Sequence, residues 1–148
     1  MMLSTIRPDA WNVPLLLHVA GAMLLVGSLV VVVVVMGGAL RGGVGAAMLT
    51  RLGLRTLLFG VLPGYVLMRA SAEWIASKEH LGDPAWLGIG YSVADGGLVL
   101  AVVATVVAWR ANWRPDGPGG LGRAVVALAA LLLLAYALAI WAMTTKPS

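Results

Sequence analysis

The feature that most constrains this chain is a long run without any charged residue, from Val13 to Met36. A helix needs ~20 apolar residues to cross a hydrocarbon core of ~30 Å, and this run exceeds that length. Of the 148 residues, 61% are hydrophobic and 11% are charged, whereas a soluble domain carries about 25% charged residues. The surplus apolar surface predicts an all-α membrane protein with a single domain over residues 1–148.

Three further apolar segments predict a bundle of four transmembrane helices in up-and-down order. Arg55 and Arg69 flank the core of the second segment, about 14 residues or ~21 Å of helix apart, and their long side chains can reach towards the lipid headgroups. Stretches rich in glycine and proline separate the segments and should form short turns. The predicted spans are residues 13–36, 52–70, 86–109 and 124–143, with Gly37 and Gly38 ending the first. The second helix should begin before Arg51.

The distribution of charge predicts the orientation of this bundle. The first and third loop regions together carry six arginines: Arg41, Arg51, Arg55, Arg110, Arg114 and Arg123. The second carries Arg69 and Lys78, which Glu73, Glu79 and Asp83 offset. Because Lys and Arg accumulate in cytoplasmic loops, we expect loops one and three inside and both termini outside.

Small residues indicate where the helices touch. Gly60 and Gly64 form a G-x-x-x-G pair on the second helix, and Gly21 and Ser28 share a face of the first. Such residues let two helix backbones approach closely, so we interpret them as evidence for a compact bundle. On the fourth helix, Ala135 and Ala139 offer the same opportunity.

Asp95 is the acidic residue that falls inside a predicted span, about nine residues into the third helix. A charge at this depth costs ~2.5–3.5 kcal/mol, so we expect its side chain to face the bundle interior and to find a partner. Tyr91 and Ser92 lie one turn and nearly one turn before it, which predicts a polar stripe. This stripe either fixes helix packing or forms a binding site within the membrane.

His18 lies about five residues into the first helix. A histidine at this position is either satisfied by a neighbouring helix or by water, or acts as a proton carrier, a metal or haem ligand, or the partner of Asp95. We predict that His18 and Asp95 face each other or a shared wet cavity in the outer half of the bundle.

A set of His and Met side chains near the outer side suits a transition metal such as copper, with His18, His80 and Met68 as candidate ligands. The spacing of these residues matches no known metal motif, and haem would need a second axial ligand in addition to His18. The chain has no cysteine, which excludes disulfides and thiolate metal sites. We therefore expect no cofactor.

The first helix nevertheless resembles the opening helix of bacterial copper-resistance-D-like small membrane bundles. The resemblance rests on Leu17-His18 followed by Gly21-Ala22 and Gly27, and Leu25 stands where that pattern has a tryptophan. It implies a helical-bundle fold and a copper- or haem-associated role for His18.

These observations favour a non-enzymatic accessory or assembly subunit of a larger membrane complex. Nucleotide-binding and hydrolase motifs are absent from the sequence, and no loop is long enough to carry an active site. We expect the inner membrane of a bacterium as the location, with the lipid bilayer and other membrane subunits or further copies of the chain as partners, and no nucleic acid. One alternative is a small transporter or ion-conducting oligomer that uses Asp95 and His18. The other is a copper- or haem-binding redox protein.

Overall fold

The computed structural model describes residues 12–79 and 85–144, with the side chains of residues 78–79, 85–91, 93 and 142–144 excepted. Within these ranges the chain is helical apart from two turns, residues 40–45 and 113–118, and has no strand. The helices are α1 (Asn12–Ala39), α2 (Ala46–Thr56), a π-helical turn (Leu57–Val61), α3 (Leu62–Glu79), α4 (Ala85–Asn112) and α5 (Gly119–Thr144).

Because α2, the π-helical turn and α3 form one continuous helix, the described residues make four helices long and apolar enough to cross a membrane. This confirms the prediction of four apolar helices of membrane-spanning length. Each predicted span lies inside one of these helices, and the second helix begins before Arg51, at Ala46, as expected.

The end of α1 lies beyond the predicted position. Gly37 and Gly38 are helical, and the helix continues to Ala39, which is buried. The turn is made instead by Gly42 and Gly43, whose φ angles of 76° and 96° lie in the left-handed region. A glycine ends a helix where the backbone needs such an angle, so the second glycine pair is the one that reverses the chain.

The start of α5 also differs from the prediction, because the helix begins at Gly119 rather than at Ala124. The Gly122 N–H donates a hydrogen bond to the Pro118 carbonyl at 2.9 Å. A side chain at Gly122 would meet Pro118 at 2.7 Å and Leu40 at 3.0 Å. Close packing of Gly122 against Leu40 in the first turn therefore favours a helix here. The low helix propensity of glycine alone would not favour one.

The π-helical turn interrupts the second span just before Pro63. The Leu62 N–H donates to the Leu57 carbonyl, five residues back. Pro63 has no N–H to donate, and in a regular helix its ring would meet the carbonyl of Phe59. The wider turn relieves this conflict, which is a common cause of such irregularities.

The four spans form a bundle in which sequence neighbours pack side by side. α1 packs along α2 and α3 and also against α5, while α4 packs against α5 and α2. α4 presents a face of small residues, spaced alternately by three and four positions, to this interior. They are Ala94, Gly97, Ala101, Ala104, Ala108 and Ala111. This is the spacing of helices that cross at a shallow angle.

The predicted close approach of α1 and α3 is confirmed. A Cβ atom on Gly21 would lie 2.5 Å from the Met68 amide nitrogen, and one on Gly64 would lie 2.8 Å from that of Leu25. Gly60 meets the Ser28 side chain in the same way. Hence only a hydrogen atom fits at these positions.

On the fourth helix the contact residues differ from the predicted ones. Ala135 and Ala139 are half-buried, whereas Ala129, Leu132 and Tyr136 are buried in the core. The helix is rotated so that its larger side chains fill the space opposite the small residues of α4, which is how facing layers interdigitate.

Candidate functional site

The Asp95 carboxylate lies on the outer surface of the bundle, which corrects the prediction that it faces the interior. Its side chain is 68% exposed, and its Oδ1 atom lies 3.6 Å from Nε of Arg69 on α3. The neighbouring Ala94 and Gly97 are the residues that point inward. Since successive helical residues are rotated by about 100°, the small-residue face of α4 turns Asp95 away from the core.

Arg69 connects Asp95 to a second carboxylate. Arg69 and Glu73, one turn apart on α3, form an ion pair. One cation therefore stands between two acids, and the group of Glu73, Arg69 and Asp95 has a formal charge of −1. Here we call it the α3–α4 charge network.

His18 is anchored to the same turn of α3 by a different contact. Its Nδ1 atom lies 2.9 Å from the Met68 carbonyl oxygen. A carbonyl oxygen can only accept a hydrogen bond, so His18 Nδ1 carries the proton in this contact. The same carbonyl accepts a hydrogen bond from Ser71 Oγ, also at 2.9 Å.

The structure therefore brings His18 and Asp95 to one level of the bundle without joining them as predicted. His18 contacts residue 68 and Asp95 contacts residue 69, so consecutive residues of α3 provide both partners. The polar contacts shown for these two side chains are with α3 and not with each other.

The remaining predicted site residues are only partly visible. Ser92 is exposed, three residues before Asp95 on the same side of α4, whereas the Tyr91 side chain and His80 lie outside the described residues. Met68 packs against the core. Within the described ranges, no three His, Asp or Glu side chains gather as a metal site would require. A copper site thus stays a prediction.

Two tyrosines near this level were not singled out from the sequence. Tyr65 on α3 and Tyr136 on α5 are both buried. The Tyr136 hydroxyl lies so close to Gly97 that a Cβ there would meet it at 2.5 Å. Gly97 follows Asp95 and Gly96 in the sequence, and a glycine in a membrane helix is a signal of close contact with a neighbouring helix.

The sequence also held a signal for the Arg69–Asp95 pair. Arg69 lies about 14 residues after Arg55, and Asp95 lies about 14 residues before Trp109, at ~1.5 Å per residue. Because the two helices run in opposite directions, equal distances from the same end of the bundle place both groups at one height.

Comparisons of the chain with protein-family models, with curated proteins and with solved structures find no match. The resemblance of the first helix to copper-resistance-D-like bundles is neither supported nor opposed by these comparisons. The function must therefore be argued from the geometry of the α3–α4 charge network.

Proposed function

We propose that this protein is a non-enzymatic membrane subunit that works by lateral association with other membrane polypeptides. The observation that carries this proposal is the outward-facing Asp95 side chain, 68% exposed in a helix long and apolar enough to span a membrane. Arg69 is shared between Asp95 and Glu73, so the network keeps a net negative charge on this surface, which a polar group from outside the chain would offset.

The depth of Asp95 supports this reasoning. Trp109 is exposed and Arg110 follows it, so this end of α4 has the residues expected at a membrane interface. Asp95 is ~21 Å from that level along the helix, and the hydrocarbon core is ~30 Å thick. With the arginine-rich loops inside, Asp95 would lie in the outer third of the core. An uncovered charge costs ~2.5–3.5 kcal/mol at the centre of the bilayer, and a partner's polar groups would offset the part of this cost that applies at the depth of Asp95.

The packing inside the bundle supports an external rather than an internal site. The buried polar side chains of the described residues are Ser28, Thr50 and Ser71. Thr50 and Ser71 donate hydrogen bonds to carbonyls of their own helices. The space between helices is otherwise filled by aliphatic side chains, alanines and the two tyrosines. Hydroxyl groups that bond to carbonyls of their own helix do not form a continuous polar path through the bundle.

The second candidate is an ion-conducting homo-oligomer. Ser92 and Asp95 are both exposed on one side of α4, so copies of the chain that pack through this side would place their carboxylates around a common axis. In this arrangement Asp95 would be the conducting group, and His18 would keep its structural bond to α3.

Site-specific photocrosslinking in native membranes tests the proposal. A photoreactive residue at Val99, exposed one turn after Asp95, should give an adduct of defined mass with another membrane polypeptide. The matched control is Leu134, which is equally exposed on α5 and should react mainly with lipid. Failure to form a protein adduct at Val99 would contradict lateral association through this side.

The mass of the adduct separates the two candidates. An adduct at twice the chain mass of 15.3 kDa, together with proton uptake in liposomes that Asp95→Asn abolishes, would favour the ion-conducting oligomer. A different mass would favour an accessory subunit. An absorption spectrum of the purified protein with a haem Soret band would contradict both and favour the redox reading.

A further inference from the structure

A cleft opens at the arginine-rich end of the bundle, far from the α3–α4 charge network. It has a volume of about 490 Å³ and lies between the turn at residues 40–45 and the turn at residues 113–118. Pockets that bind small molecules have volumes of ~300–1,000 Å³, so a compact polar group fits here.

The charged side chains that line the cleft are Arg114, Arg123 and Asp116. In the part of the chain that the structure describes, neither arginine forms an ion pair, with Asp116 or with any other acid. Both guanidinium groups therefore keep their hydrogen-bond donors available, and paired guanidinium groups match the geometry of phosphate oxygens.

The cleft also lies at the height where lipid phosphates are found. Trp109 and Trp113 are exposed and pack edge to face, with ring centroids 6.2 Å apart. Tryptophans with this exposure mark the headgroup level of a membrane. Asn112 and Arg114, which line the cleft, are the immediate sequence neighbours of Trp113.

The backbone around the cleft leaves room for an anion. Gly42, Gly43 and Gly117 line it with left-handed φ angles and no side chains. The first turns of α2 and α5, at Ala46 and Gly119, also line it. Helix N-termini carry unpaired N–H groups and partial positive charge, which adds to the field of the two arginines.

We propose that this cleft binds the phosphate group of an anionic phospholipid through Arg114 and Arg123. The chemistry that is recognised is a phosphate ester, and the position of the cleft favours a lipid headgroup over a free anion. Basic pockets between transmembrane helices bind anionic headgroups in this way. The inference does not depend on the proposed lateral association, because it concerns the opposite end of the bundle.

Native mass spectrometry of the full chain tests the proposal by titration with phosphatidylglycerol and phosphatidylcholine. We expect one tightly held phosphatidylglycerol per chain. Each arginine near a membrane surface contributes about fivefold in affinity, so Arg114→Gln with Arg123→Gln should weaken this binding by roughly 25-fold. Arg114→Lys with Arg123→Lys should show an intermediate loss, because the charges stay but the planar guanidinium groups do not.

The matched control is Arg51→Gln with Arg55→Gln, which removes the same charge from exposed positions at the same end without altering the cleft lining. Its affinity should change by less than about threefold, the effect of a weaker surface potential alone. Equal losses in both double variants, or equal affinity for the two lipids, would overturn the proposal.

A competition arm identifies the source of the phosphate. Millimolar inorganic phosphate that displaces the lipid would assign the site to a free anion. No displacement would assign it to the phospholipid, whose glycerol and acyl chains then contribute to binding. Thermal unfolding followed by tryptophan fluorescence verifies that each variant is folded before its affinity is compared.

Discussion

At the scale of single residues, Arg69 is the central residue of the α3–α4 charge network. It contacts both Glu73 and Asp95, and its side chain is 25% exposed whereas theirs are more open. Loss of one acid leaves the arginine with the other. Loss of Arg69 leaves two carboxylates near each other without a cation, and like charges at short range repel.

We therefore predict that Arg69→Gln lowers the free energy of unfolding more than Asp95→Asn does. Unfolding in lipid–detergent bicelles measures both, and a double-mutant cycle should give a coupling of about 0.5–1 kcal/mol. Arg69→Lys, which keeps the charge, is the control and should lower the free energy of unfolding less than Arg69→Gln does. A coupling near zero would show that the 3.6 Å contact contributes nothing to stability.

His18 and Asp95 should be energetically independent. They contact different atoms of α3, so the effects of His18→Ala and Asp95→Asn on unfolding should add to within ~0.3–0.5 kcal/mol. His18→Ala itself should cost about 0.5–1 kcal/mol, because the Met68 carbonyl keeps its bond from Ser71. A larger coupling between His18 and Asp95 in the same unfolding assay would indicate the direct pair that the sequence suggests.

At the scale of elements, the contact between α1 and α3 is set by which atoms fit between two backbones. Gly60→Ala should destabilise the bundle by about 1–3 kcal/mol, since its new methyl group overlaps the Ser28 side chain. Adding Ser28→Gly removes the obstacle and should recover at least half of the loss. Gly27→Ala is the matched control, with nothing within 4 Å of the new atom, and should leave thermal stability unchanged or slightly raised.

A loss of stability in Gly27→Ala equal to that in Gly60→Ala would mean that helix flexibility, not close packing, explains these glycines. If Ser28→Gly does not restore stability to the Gly60→Ala variant, the strain lies elsewhere than at the Ser28 contact.

The helices themselves followed from the lengths of the apolar runs, but their ends and rotations did not. Gly37 and Gly38 resembled a helix end because glycine propensity is low, yet burial of Ala39 extends the helix. The rotation of α4 depends on which residues fit against α5, a tertiary property. The cost of a charge in lipid predicts that Asp95 faces the interior, whereas the small-residue face of α4 fills that position and turns Asp95 outward.

At the scale of the whole molecule, the chain has a strong asymmetry of charge between its two ends. Six arginines and the single acid Asp116 lie around the turns at 40–45 and 113–118. The opposite end has the α3–α4 charge network and, on the lipid side, exposed Trp74 and Trp141. Aromatic residues at both ends and positive charge at one are typical of a protein held at a fixed orientation in the bilayer.

We predict that a cysteine introduced at Ser77 reacts with an impermeant thiol reagent in intact cells, and that one at Val44 reacts only after the cells are broken. Both positions are exposed, and the absence of native cysteine gives a clean background. The reverse pattern would invert the orientation and place the phosphate cleft on the outer side.

How much of the site could be predicted differs from residue to residue. His18 and Asp95 are recognisable from the sequence as polar residues in apolar surroundings, and Arg69 as a charge at the edge of an apolar segment. The His18 partner could not be predicted, because a backbone carbonyl leaves no mark in the sequence. The phosphate cleft was also missed, since it depends on two turns that are distant along the chain and adjacent in space.

The close fit of α1 against α2 and α3 has a consequence for how the chain is made. The turn at residues 40–45 is short, so the glycines and their contacts on the neighbouring helix leave the ribosome one after the other. This hairpin can pair during synthesis, while α4 and α5 are still being translated, and such local contacts form fastest. α5 is translated later and packs against the side of α1 that this hairpin leaves open, so its docking joins α1 to the α4–α5 pair after the first hairpin has formed.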